Sequence, residues 1–193
     1  MFYLFNYLKC FMEYSYSYPQ NPIPRQFLTK RHVYVRSILR SGKILDLGCN
    51  RYKIVTCAIS LDIDADVKPD VVGSCLNLPF PKDSFDVVTA LELIEHFCSQ
   101  DQGVFLNEIH RVLKQNGQFI VSTPNINEST RKLHDFLFYV SHSIYAQKDV
   151  YAHIGELNHS QLKHKLLNHR FKIVSDKAFS IFNYVVGCEK LGS

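Results

Sequence analysis

Two carboxylates stand near the ends of two successive apolar runs, and a glycine follows the first of them. Asp46 lies in "KILDLGC" (43–49) and Asp62 in "AISLDID" (58–64), with Gly48 two residues after Asp46. A carboxylate at a strand end can accept hydrogen bonds from both ribose hydroxyls, while Asp46 can hold a backbone turn or reach an ammonium group. Glycine lets the backbone approach a ligand closely. The pair therefore indicates a site for a nucleoside that carries an amine, with capping of the strand ends as the alternative.

A second group of candidate catalytic side chains lies in "LELIEHF", residues 91–97. Glu92, Glu95 and His96 are spaced i, i+3 and i+4, which on an α-helix puts two carboxylates and an imidazole on one face. Carboxylates suit hard cations such as Mg²⁺, and imidazole suits manganese, iron or zinc. The spacing therefore predicts a divalent metal site, with His153 as a further ligand or a general base. The alternative is that the acids offset a helix dipole and that His96 is structural.

Both groups need elements that carry their side chains to one edge of a sheet. Short apolar runs, typical of strands buried on both faces, alternate with stretches of helical spacing. Such alternation predicts an α/β fold with a doubly wound, mostly parallel sheet of seven strands. Too few residues join the last two strands for a helical crossover, so we expect an antiparallel C-terminal hairpin. The expected strands are 43–49, 58–64, 70–75, 85–92, 117–124, 171–179 and 184–191, and the expected helices are 26–40, 103–115, 127–147 and 160–170.

Composition limits the classes to which the chain can belong. Lys and Arg total 22 against 18 Asp and Glu, and this net charge of +4 is too small to argue for nucleic acid by itself. The six cysteines form no CxxC pair, which argues against a zinc knuckle. Cys49, Cys75 and Cys188 lie in or at the ends of apolar runs, which indicates buried thiols of a reducing compartment, and we expect the cytoplasm.

The chain divides into a leading segment and one domain. Prolines in "YPQNPIPRQ" separate the aromatic-rich N-terminus from the rest of the chain. We expect residues 1–40 to be a helical segment that covers the site and residues 41–193 to be the domain, with a helical insert or lid at 125–158. Polar residues interrupt the N-terminus well short of a transmembrane span, and peripheral membrane contact by residues 1–18 is the alternative to packing on the domain.

Five motifs occur in an order that resembles a known family. They are "ILDLGC", "LDID", "LPFPKDSFDVV", "LELIEH" and "EIHRVLKQNGQFIVSTPN". As an ordered set they resemble the class I S-adenosylmethionine-dependent methyltransferases of the broad methyltransferase type 11 family, over about residues 40–190. The resemblance implies S-adenosyl-L-methionine as the cofactor. It also implies the residues that contact this cofactor, which are Asp46, Gly48, Cys49, Asn50, Asp62, Ile63, Ser74, Cys75, Leu76, Ala90 and Leu91.

The resemblance assigns separate roles to these residues. Asp46 and Gly48 are expected against the methionine part of the cofactor. Asp62 is expected to accept hydrogen bonds from the ribose hydroxyls. Ala90 and Leu91, at the end of the fourth strand, are expected to line the sulfonium side.

The adenine end shows departures from the family pattern. Ile63 is expected to pack on the adenine, and Ser74 and Cys75 are expected to lie at its edge. Ser74 stands where the family often has an Asp, and Asn50 stands where it usually has a second glycine. The family's helix between the first two strands is also missing, because "NRYKIVTC" is too short to form it.

The implied activity is methyl transfer to a small-molecule or lipid-like acceptor, with O-methylation favoured. A hydroxyl nucleophile gains from a base that takes its proton, and His96, Glu95 and His153 are the candidates. One alternative is an RNA methyltransferase that uses the Glu-x-x-Glu-His segment as a metal site, which the basic stretches "KRHVYVR" and "KHKLLNHR" also suggest. Another is a non-catalytic partner subunit that binds the cofactor.

Overall fold

The computed structural model describes residues 30–50, 53–124, 154–180 and 183–192. Within these ranges the chain alternates between strands and helices, as its apolar pattern predicts. The strands are β1 (Ile44–Leu47), β2 (Ile59–Asp62), β3 (Val71–Val72), β4 (Phe85–Leu91), β5 (Leu113–Pro124), β6 (Phe171–Ser180) and β7 (Asn183–Lys190). The α-helices are α1 (Lys30–Ile38), α2 (Ser99–Val112) and α3 (His159–Asn168), and short 3₁₀ turns span Ala65–Val67 and Ile94–His96.

The strands form one seven-stranded sheet in the order β3-β2-β1-β4-β5-β7-β6. Strands β1 to β5 pair in parallel, and β7 runs antiparallel to both β5 and β6. The predicted mostly parallel sheet with an antiparallel C-terminal hairpin is thus confirmed. Chain order reverses where β1 lies between β2 and β4, and open α/β sheets bind ligands at the carboxyl ends of the strands around such a point.

Helix α2 differs from its predicted bounds. It begins at Ser99 and ends at Val112, so the expected range of 103–115 is wrong at both ends. The chain passes directly into β5 because Leu113 already pairs with Phe85 of β4. This helix buries one apolar face on the core through Phe105, Leu106, Ile109 and Val112.

Helix α3 begins at His159, one residue before its expected start. The Asn158 side chain accepts a hydrogen bond from the Gln161 N–H, and the Gln161 side chain accepts one from the Asn158 N–H. This reciprocal pair satisfies two backbone donors at the start of the helix. It identifies Asn158 as the N-cap of α3.

Several predictions fall on other parts of the chain. The expected helix at 127–147, His153 and the N-terminal residues 1–18 lie outside the described residues, so the extents of the covering segment and of the insert stay predictions. Among the helices that the structure does describe, none combines the length and apolar character required to cross a membrane.

Candidate functional site

The turn after β1 brings two backbone segments close together at the carboxyl edge of the sheet. Gly48 has φ +62° and Asn50 has φ +48°, both in the left-handed region. The Gly48 N–H donates to the Leu61 carbonyl of β2 at 2.8 Å. Asn is among the few non-glycine residues that tolerate this region. Asn50 can therefore replace the second glycine of the family pattern without breaking the turn.

Asp62 is held in a fixed orientation at the end of β2. One carboxylate oxygen accepts the Asn50 N–H at 2.9 Å, and the other accepts the Asp64 N–H at 3.1 Å. A carboxylate offers about four lone-pair sites, so about two remain for a ligand. The loop after β1 thus positions this acid for two further hydrogen bonds.

Asp46 is only 4% exposed and makes internal hydrogen bonds. It accepts the Ile54 N–H at 2.7 Å and the Thr89 hydroxyl at 2.6 Å. Burial raises the pKa of this carboxyl, while the bonds from Thr89 and Ile54 act in the opposite direction. Of the two roles that the sequence allows, the structure shows the holding of a turn. Asp46 ties the short loop between β1 and β2 to β4, in the place of the family's missing helix.

The adenine-side candidates lie in the segments that follow β2 and β3. Ile63 is 72% exposed, which is unusual for a large apolar side chain that follows a buried strand. Ser74 Oγ accepts the N–H of Leu76 at 3.2 Å and thereby shapes the turn after β3. Burial raises the pKa of Cys49 to about 11 and that of Cys75 to about 12. Both cysteines are therefore uncharged near neutral pH and serve as apolar lining rather than as nucleophiles.

The end of β4 leads to a second, acidic part of the site. Ala90 is fully buried and Leu91 is half-buried. Glu92 then takes φ +55°, with its N–H donating to the Ser122 carbonyl at 2.9 Å. Its carboxylate pairs with Arg31 of α1 at 2.8 Å and accepts the Ser122 hydroxyl at 2.7 Å. This ion pair fixes α1 beside the carboxyl edge of the sheet.

The predicted helical face of Glu92, Glu95 and His96 is wrong. Glu92 is left-handed, and Glu95 and His96 lie in the 3₁₀ turn Ile94–His96, so the three side chains do not share one α-helical face. Glu92 is held by Arg31, and Glu95 is only 1% exposed. Across the described ranges, no group of three His, Cys, Asp or Glu side chains is arranged to hold a metal ion. The predicted metal site is therefore unsupported.

Two further polar side chains at this edge escaped the sequence analysis. Thr123 of β5 pairs directly with Tyr184 of β7, and both are almost fully buried. Burial first, and then the charges of Glu92 and Glu95, raise the pKa of the Tyr184 phenol. The signal available in the sequence was the position of Thr123 and Tyr184 at the end of one strand and the start of its antiparallel partner.

Comparison with known proteins agrees with this geometry. Residues 45–121 match a family model described as "Methyltransferase domain". An uncharacterised Methanocaldococcus jannaschii protein, MJ1252, is 31% identical over 111 residues, which cover 51% of this chain and 43% of that protein. A probable S-adenosylmethionine-dependent methyltransferase of Mycolicibacterium smegmatis is 47% identical over 53 residues, covering 28% of this chain and 20% of that protein. The chain thus spans less than half of the length of these curated relatives.

A solved structure supports the fold. The 1,6-didemethyltoxoflavin-N1-methyltransferase of Burkholderia thailandensis, with 1,6-didemethyltoxoflavin and S-adenosylhomocysteine bound, superposes with a TM-score of 0.62. Sequence identity is 15%, and the match covers 87% of this chain and 80% of that one. The likeness to this structure supports the fold alone, whereas the family model matches the sequence of residues 45–121, a range that includes Asp46 and Asp62. Taken together, the sheet order, the motifs of residues 45–121 and these similarities show that this chain resembles the class I S-adenosylmethionine-dependent methyltransferases.

Proposed function

We propose that this chain binds S-adenosyl-L-methionine and transfers its methyl group to a small-molecule acceptor. The single observation that carries the proposal is the geometry of Asp62. Two backbone N–H groups orient its carboxylate, and about two lone pairs stay available at the carboxyl edge of the sheet. Two vicinal ribose hydroxyls present the matching number of donors.

The residues around Asp62 fit an adenosine. The exposed side chain of Ile63 offers an apolar surface on which a planar base can pack. Gly48 sits in a crowded turn with a positive φ, where an added Cβ would meet Leu93 Cδ1 at 2.9 Å and would have to displace that side chain. Close backbone approach of this kind is what a ligand at a strand end requires. Ser74 and Cys75 would lie along the edge of the base, with Leu76 beside them.

The remaining cofactor-binding candidates would hold the amino-acid end. Ala90 and Leu91 end β4 next to β1 and would border the sulfonium, while the turn of residues 48–50, with Cys49, would face the methionine chain. When bound, the cofactor supplies a methyl group on a good leaving group, so the protein mainly has to hold the acceptor in line with it. The buried position of Asp46 supports this arrangement indirectly, because Asp46 anchors the loop that carries the turn.

The acceptor group and the residues that could take its proton form the second part of the proposal. O-methylation remains the favoured form, because carboxyls at the acceptor side could take a hydroxyl proton. Glu95, His96 and His153 stay candidates for that role, and His153 lies outside the described residues. The acceptor of the toxoflavin methyltransferase named above is a small molecule, which supports the same class here.

The basic segments of the chain do not favour RNA as the acceptor. In the stretch "KRHVYVR", Arg31 pairs with buried Glu92, and Arg36 donates to the Ile54 carbonyl at 2.6 Å. In "KHKLLNHR", Lys163 pairs with Asp176 at 2.9 Å. These cations serve internal contacts, so they supply little of the free positive charge on which phosphate binding depends.

Titration calorimetry with S-adenosylhomocysteine tests the cofactor half of the proposal. We expect saturable binding to the wild-type chain, and a large loss of affinity in an Asp62→Ala variant that circular dichroism shows to be folded. Absence of binding to the wild type would overturn the proposal. A subsequent screen with isotopically labelled S-adenosylmethionine and small hydroxyl and amine acceptors tests transfer, and cofactor binding without transfer to any of them would instead favour the non-catalytic subunit.

A further inference from the structure

A cluster of buried polar side chains lies on the acceptor side of the carboxyl edge, beyond the cofactor-binding candidates. It consists of Glu95, from the turn after β4, together with Thr123 of β5 and Tyr184 of β7. Their exposed fractions are 1%, 0% and 1%. We call these three residues the acceptor-side cluster.

The acceptor-side cluster has unmet hydrogen-bonding capacity. Among the described residues, both carboxyl oxygens of Glu95, the Thr123 hydroxyl and the Tyr184 hydroxyl lack a hydrogen bond of normal geometry, although Thr123 lies close enough to Glu95 to act against the rise of its pKa. Buried polar side-chain atoms in folded proteins nearly always have a partner, so such a concentration of unmatched atoms at one place calls for a specific explanation. The position of the cluster at the ligand-binding edge of the sheet points to a ligand group as that partner.

The charge balance of the surroundings decides which ligand group fits. Glu92 is adjacent, but Arg31 at 2.8 Å compensates its carboxylate. Glu95 has no such cation among the described residues, and both its burial and the nearby charge of Glu92 raise the pKa of its carboxyl. An anion buried here would have no counter-ion of its own among the described residues, because Arg31 is already paired with Glu92, whereas a hydrogen-bond donor can be accepted by the Glu95 carboxyl and a cation can pair with its ionised form.

The ring of Tyr184 is held so that its hydroxyl keeps one direction. The His159 ring packs edge-on against it with centroids 4.6 Å apart, and His159 is itself fixed by Asp176 at 2.7 Å. A locked phenol is suited to selecting the geometry of a bound polar group, because little side-chain freedom is lost on binding.

We propose that Glu95, Thr123 and Tyr184 form a buried subsite that receives a hydrogen-bond-donating group of the acceptor, an amine or a hydroxyl, and that excludes carboxylates and phosphates. The subsite rests on the proposed function, because only an acceptor of methyl transfer would need to be held beside the end of β4. It adds to that function the class of acceptor group and the residues that select it.

Three matched probes test the subsite without knowledge of the natural acceptor. Phenethylamine, 2-phenylethanol and phenylacetate share a ring and differ in their polar end. Each is titrated into protein with ¹³C-labelled Glu and Tyr, with and without saturating S-adenosylhomocysteine, and the shifts of Glu95 Cδ and Tyr184 Cζ are followed. We expect saturable shifts with the amine and the alcohol, and none with phenylacetate.

Variants assign the effect to the cluster. Glu95→Gln keeps the shape and is expected to weaken phenethylamine binding by about tenfold or more, the effect of losing a hydrogen bond to a charged group. Tyr184→Phe is expected to weaken both binding probes. Glu189→Gln is the matched control, because Glu189 lies near the opposite end of β7 and pairs with Arg40. It should leave all three titrations unchanged.

The outcomes separate the subsite from the proposed function. Phenylacetate binding as tight as that of phenethylamine, unchanged affinities in Glu95→Gln, or no response of Glu95 and Tyr184 to any probe would each overturn the subsite. Because the probes are also titrated without cofactor, these results can be scored whether or not S-adenosylhomocysteine binds. Failure of S-adenosylhomocysteine to bind would overturn the proposed function.

Discussion

Replacement of Asp62 is the most informative single perturbation of the cofactor site. Its carboxylate accepts one N–H from Asn50 and one from Asp64, at 2.9 and 3.1 Å. The available lone pairs would accept two ribose hydroxyls. Asp62→Ala removes all four interactions. Asp62→Asn keeps one acceptor oxygen and replaces the second carboxylate oxygen with an NH₂ group, which cannot accept a hydrogen bond from a backbone N–H or a hydroxyl.

The expected magnitude can be worked out from these bonds. Hydrogen bonds to a charged group contribute about 1.5–3 kcal/mol each, so loss of two ribose bonds should weaken S-adenosylhomocysteine by about 3–6 kcal/mol. At about 1.4 kcal/mol per factor of ten, this is roughly a 100- to 10,000-fold rise in Kd for Asp62→Ala. Asp62→Asn should fall between this value and the wild type, because one acceptor oxygen remains.

Calorimetry measures these affinities, and circular dichroism melts show whether the variants stay folded. Asp66→Asn is the matched control: it removes the same charge four residues away, and it should change Kd by no more than about twofold, because separated exposed charges are screened. An Asp62→Ala variant that is folded and binds S-adenosylhomocysteine as tightly as the wild type would refute the ribose assignment. Equal weakening in Asp66→Asn would show that the effect is one of general charge.

Three further perturbations test the same contacts. Gly48→Ala should lower the melting temperature and weaken the cofactor, because a residue with Cβ at φ +62° costs about 1–2 kcal/mol and the new carbon must displace Leu93; an unchanged melt would contradict the turn. Arg31→Met should destabilise the fold by about 3 kcal/mol in urea titrations, because it leaves Glu92 buried without its cation; a neutral effect would mean that the pair adds nothing. Burial raises the pKa of the Glu95 carboxyl in the folded state, so the wild type loses stability as pH rises above the pKa of this group in the unfolded state. Glu95→Gln lacks this titration, so its free energy of unfolding should rise relative to that of the wild type as pH rises. Urea unfolding from pH 4 to 8 tests this, and a constant difference would show that Glu95 does not titrate as described.

The fold was predictable because its strands are buried on both faces. Strand β1 is buried at all four positions, and β4 at five of seven, so each appears in the sequence as a short continuous apolar run. The end of α2 was not predictable in the same way. Lys114 and Gln115 continue polar, helix-compatible spacing, but pairing of Leu113 with Phe85 draws this part of the chain into β5. Here a tertiary contact overrides local preference.

In the candidate site, too, some positions could be predicted from the sequence and others could not. The position of Asp62 at the end of β2 was predictable because it follows from the apolar run and from chain order, while its contact with a ribose stays a prediction. The arrangement of Glu92 and Glu95 was not, because a spacing of i, i+3 places side chains together only on a regular helix. The left-handed backbone at Glu92 turns its carboxylate toward Arg31, which is 61 residues away in the sequence and carries no local signal of the pairing.

A crystal structure grown with excess S-adenosylhomocysteine tests the central claim most directly. We predict density for adenosine at the carboxyl ends of β1 and β2, with both ribose hydroxyls within hydrogen-bonding distance of the Asp62 carboxylate and the adenine against Ile63. A cofactor bound elsewhere, or an Asp62 carboxylate that makes no contact with the bound ribose, would contradict the assignment of this edge of the sheet.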